Sequence, residues 1–77
     1  MKYELAEIVR TWGRVEAGGY ALPARVRLLE TLNDRLKPLT ELDPLTQLAG
    51  AGLTFSEWLA AVELHRRIIV TLAHLDP

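Results

Sequence analysis

The chain has no cysteine, so neither a disulfide framework nor a thiolate metal site can help hold it together. It has one serine, Ser56, and two histidines, His65 and His74. Ser56 falls inside a helix-start motif. The two histidines lie nine residues apart on one helix, on opposite sides of it, and miss the i, i+4 spacing of a helical metal pair. Gly50-Ala51-Gly52 lacks the lysine and the preceding strand of a phosphate loop. Glu4 and Glu7 share a helical face, but it is the solvated one, and no histidine accompanies them. The expectation is a protein that is not an enzyme, with no catalytic, cofactor-binding or metal-ligating residue and no cofactor.

An excess of charge of either sign is also missing. Nine basic residues stand against ten acidic ones, for a formal charge of −1. Nonspecific nucleic-acid binding usually shows as a strongly basic domain, so nucleic acid is disfavoured as a partner. Long hydrophobic runs are absent: Ile68-Ile69-Val70 is preceded by Glu63, His65, Arg66 and Arg67, so no membrane span is expected. The opening "MKYELAEIVR" has charges where a signal peptide needs its apolar stretch. A cytoplasmic location fits these features.

What the chain does have is apolar surface. Hydrophobic residues make up 49% of 77 positions, in a single domain (1–77) near the lower size at which one core suffices. Ordering such a chain costs roughly 1.5 kcal/mol per residue, which apolar burial must offset. A small sphere cannot hide so many apolar side chains. Self-association, or burial against a protein partner, is the natural remedy, with a homodimer favoured.

The fold class read from periodicity is all-α: three main helices at about 3–17, 22–37 and 54–75, plus a short one at about 44–49. In the first, Leu5, Ile8, Val9, Trp12 and Val15 fill one arc, and Gly18-Gly19 supplies the stop. The second starts near Pro23, carries Leu22, Val26, Leu29, Leu32 and Leu36 as its stripe, and should end near Lys37 because Pro38 disfavours helix there. Arg25 and Asn33 sit at the edge of that stripe or within it. The third opens on Thr54-Phe55-Ser56-Glu57, a capping box. Its apolar arc exceeds half its girth, so it should pack on two sides, the second against another subunit.

Between the second and third helices runs KPLTELDPLTQLAGAG (residues 37–52), with leucines at 36, 39, 42, 45 and 48. Asp43-Pro44 reads as a helix start, and Gly50 and Gly52 as its stop. The alternatives are a solvated linker, a mobile recognition peptide, or a packed cross-over that lays its leucines on the core. The cross-over is favoured, and it predicts burial of both Leu45 and Leu48.

The chemistry-bearing anomalies are polar groups on apolar faces. His65 falls among Trp58, Val62, Ile69 and Leu72, and Arg66 among Phe55, Leu59, Val62 and Ala73. His65 is either a half-buried core residue bonded to a carbonyl or an interface residue. Arg66 in an interface would meet a carboxylate such as Glu16, Glu30 or Glu41, from this or another subunit, because an unpaired buried charge is costly. Trp12 and Trp58 are core residues or interface anchors, since tryptophan and arginine are enriched in hot spots. The candidate interface set is therefore Trp12, Arg25, Trp58, Val62, His65, Arg66, Ile69 and Leu72.

Trp12-Gly13-Arg14 with Gly18-Gly19-Tyr20 resembles a stretch of small late-transcription regulators of bacteriophages, over too few residues to define a family. Taken together, these features favour a protein–protein interaction module: a small helical adaptor, inhibitor or regulatory subunit. A nucleic-acid-linked regulator using Arg25, Arg27, Arg35 and Lys37 is the alternative, diluted by Glu30, Asp34, Glu41 and Asp43. A structural part of a larger assembly is a third reading.

Overall fold

The computed structural model describes residues 5–75. Among them are four helices and no strand: α1 (Leu5–Glu16), α2 (Leu22–Thr40), α3 (Leu48–Ala51) and α4 (Phe55–Leu75). Glu4, which the sequence paired with Glu7, lies outside the described residues. The all-α fold of three main helices and one short one is as expected.

Helix α1 buries Leu5, Ile8, Trp12 and Val15, alternating three and four residues apart along one face. Val9, beside that face, stays about half exposed. Gly18 ends the helix with φ +82°, a left-handed conformation that glycine adopts without a Cβ clash. Helix α2 buries Leu29, Leu32, Leu36 and Leu39 with the same alternation. It packs chiefly on α4, with α1 against it. The start of α2 lies beside the end of α4, where Arg25 lines a cleft with Arg67 and Thr71, so the two long helices run antiparallel. Leu22, expected in the buried stripe, is half exposed at the helix start.

Two expectations about the connection need correction. Pro38 does not end α2, which continues to Thr40 with the proline inside it. Leu36 and Leu39 are both fully buried and straddle the proline, so core packing holds the backbone helical through it. The local bias is worth less than two buried leucines. Asp34, whose carbonyl loses its usual donor to the proline, is at the surface, where water can replace it. The Thr40 hydroxyl donates to the Lys37 carbonyl at 2.8 Å, and the Glu41 N–H to the same carbonyl at 3.2 Å.

The short helix is also displaced. Residues 44–47 form turns, and α3 proper is the single turn Leu48–Ala51. Asp43 does act as a cap: its carboxylate accepts from the Leu45 N–H at 2.9 Å, and the Gln47 side chain accepts from the Asp43 N–H at 2.7 Å. The bracket closes within five residues and starts no longer helix. Gly52, at φ +72°, ends α3, and the Leu53 N–H reaches back to the Leu48 carbonyl at 3.1 Å. This is the Schellman arrangement, and both of its leucines are buried.

The leucine ladder is therefore split. Leu36, Leu39 and Leu48 belong to the core, Leu42 is half-buried, and Leu45 is 91% exposed. The cross-over is packed, but its tip is not.

Thr54 and Glu57 form the expected capping box. The Thr54 N–H donates to Glu57 Oε1 at 2.8 Å, and the Glu57 N–H donates to Thr54 Oγ1 at 3.1 Å. This fixes the start of a 21-residue helix whose buried positions are Ala61 and Ile68. Trp58, Leu64, Leu72 and Leu75 pack against the core without being fully enclosed. Among the described residues, no helix is long and apolar enough to cross a membrane.

Candidate functional site

The inner face of α4 is set by Ala61 and Ile68, seven residues apart and both at zero exposure. At about 100° per residue, Leu59, Arg66 and Val70 fall most nearly opposite that pair, and Phe55, Val62, Ile69 and Ala73 continue this outward arc along the flank toward Trp58. Phe55 is 58% exposed and Ile69 47%, and Leu59 and Val70 are similar. Arg66 and Ala73 are exposed, and Val62 is half-buried. Phe55 leans on Trp58, with ring centroids 5.6 Å apart and planes tilted by 37°. The capping box positions this end of the arc, since it fixes where the first turn points.

The sequence-derived candidates do not form one cluster. Val62, Arg66 and Ile69 come together on the outward arc, and Trp58 borders it. Leu72 and His65 lie between that arc and the core, both half-buried. Trp12 is buried in the core of its own chain, which is the first of the two places the sequence allowed it. Arg25 lies on α2, apart from the outward face of α4, in a cleft of about 270 Å³ with Trp12, Val15, Glu16, Gly18, Arg67 and Thr71.

Arg66 is not a buried charge. Its side chain is exposed and makes no hydrogen bond or ion pair among the described residues, so Glu16, Glu30 and Glu41 of its own chain do not meet it. The His65 ring likewise makes no carbonyl bond among these residues. It is His74 that pairs with a carbonyl, that of Val70, at 2.8 Å. Among the described residues, the buried side-chain polar atoms without partners are Arg25 Nε, Asn33 Oδ1 and Trp58 Nε1. Two of these belong to the residues that interrupted the α2 stripe in the sequence. Each such atom costs stability, about 1–3 kcal/mol for a buried group left unsatisfied.

Phe55, Leu59, Val70 and Ala73 are the members of the outward arc missing from the candidate set. The signal for Phe55, Leu59 and Ala73 was the spacing 55, 59, 62, 66, 69, 73, which alternates four and three residues; Val70 stands outside that series. Among the described residues, no group of three or more histidine, cysteine, aspartate or glutamate side chains is placed to hold a metal ion. The arrangement offers an apolar strip with a cation in its middle, which suits contact with another polypeptide. Comparison with known proteins places the chain in no group: no family model matches it, and neither curated proteins nor solved structures yield a match.

Proposed function

We propose that this protein is a non-catalytic protein–protein interaction module that works through the outward face of α4, completed as a homodimer. The observation that carries this reading is where the exposed apolar side chains lie. Among the described residues, four of the seven large hydrophobics left exposed are Phe55, Leu59, Ile69 and Val70, all on this one helix. Scattered apolar residues on a surface need no explanation, but a contiguous strip of them does.

Magnitudes set the strength of the contact. Burying such a side chain fully is worth about 1.5–3 kcal/mol, and half of each remains to be buried, so each contributes about 1 kcal/mol. Four from each of two copies give about 8 kcal/mol, within the range of the cost of association itself. Pairing is therefore reversible and depends on concentration.

The test is particle mass by light scattering. The wild type should exceed 8.6 kDa, the mass of one chain, as concentration rises, while Ile69→Asp stays at it with an unchanged helical spectrum. A wild type that remains at one chain mass at every concentration, and binds no other protein when immobilised, removes the reading.

A further inference from the structure

We propose that the outward face of α4 pairs with α4 of a second copy, antiparallel, about a two-fold axis level with Leu64. The inference rests on the interaction-module reading and specifies its occupant and geometry.

The spacing 55, 59, 62, 66, 69, 73 is that of the a and d positions of a coiled-coil seam, sustained over about 27 Å of helix at 1.5 Å per residue. A seam of this kind is complete only with a facing helix. Orientation follows from what each arrangement sets opposite what. In a parallel pair every residue meets its own copy. Arg66 would face the partner's Arg66, and Ala73 would face the partner's Ala73, leaving a like-charge clash and a hole in the same seam.

In an antiparallel pair centred on Leu64, residues equidistant from the axis meet. Phe55 then faces the partner's Ala73, the largest side chain of the strip over the smallest. Leu59 faces the partner's Ile69, and Val62 faces the partner's Arg66. Every layer sets an a position against a d position, as antiparallel helix pairs require.

Charge supports the same register. Glu63 and Arg66 are both exposed, and neither makes a hydrogen bond or ion pair among the described residues. In the antiparallel register Arg66 arrives beside the partner's Glu63, one residue from the position it faces. Around the axis, each Glu63 then stands beside an Arg66 of the other copy, with Arg67 one turn further along its own helix. The shallow groove of about 450 Å³ lined by Glu63, Arg66, Arg67 and Val70 lies at this level. A single polar residue in a seam is known to fix register and partner, and Arg66 has that position here.

Charge exchange tests the pairing. Arg66→Glu and Glu63→Arg should each weaken dimerisation at least tenfold by sedimentation, and the double variant Glu63→Arg/Arg66→Glu should recover it to within a few-fold. Both sites are exposed, so the helical spectrum should not change. Because the chain has no cysteine, Leu59→Cys and Ile69→Cys can be mixed under mild oxidation. Mixed disulfide with little self-disulfide is expected. Self-disulfide of Leu59→Cys alone would overturn the antiparallel geometry while leaving the module reading intact. Dimers indifferent to both charge changes would overturn the register. A folded chain that never dimerises, yet binds a different protein through Ile69, would overturn the second copy as occupant.

Discussion

Leu45 and Leu48 are the two leucines of the single stretch Pro44-Leu45-Thr46-Gln47-Leu48, yet one projects into solvent and the other is buried. Their truncation separates the two environments. Leu48→Ala should lower stability by about 2–5 kcal/mol, as for a buried leucine. Leu45→Ala should change it by less than about 0.5 kcal/mol, as for an isolated surface position. Urea denaturation midpoints read the difference, and equal losses would contradict the structure. The sequence could not separate the pair, for a geometric reason. A step of three residues on an α-helix falls about 60° short of a full turn, so a five-leucine ladder cannot stay on one face. The chain must leave helix somewhere along it, and where it leaves depends on the buried Leu39 and Leu48 at either side.

Among the elements, α4 depends most on its first turn. Thr54→Ala removes one of the two reciprocal bonds of the capping box and should cost about 1 kcal/mol. The loss should appear in thermal unfolding and as faster amide exchange at Glu57. Unchanged stability would mean that the core alone fixes the helix start. This element was legible in the sequence because both partners of the box lie three residues apart and need nothing else. The end of α2 was not, because Pro38 is a local signal overruled by two distant-packing leucines. The candidate site was half legible. That α4 is apolar on two sides follows from its residues alone, and Arg66 stood out within the arc. Which side faces the core does not follow, since both are apolar and only the placement of Ala61 and Ile68 against α2 decides it.

For the whole molecule, stability and assembly are linked. Anything that binds the folded chain and not the unfolded one raises apparent stability with its concentration, and a second copy does so by mass action. The apparent Tm of the wild type should therefore rise with protein concentration. That of Ile69→Asp should not, and its fold should survive because the side chain is exposed at the helix surface. A concentration-independent Tm for the wild type would argue against a second copy at micromolar levels.

Helix α4 also sets how freely this chain can change over evolutionary time. Ala61 and Ile68 are closed in by the core, and in the proposed dimer the outward arc is committed as well. Positions answerable to neither flank are few, Ser56 and His74 among them. The outer arc of α1, with Glu7, Arg10 and Arg14, carries no such double duty, and neither does the tip around Leu45. In the proposed dimer, substitutions should be tolerated most readily on the outer arc of α1 and at Leu45, and least readily along the longest helix.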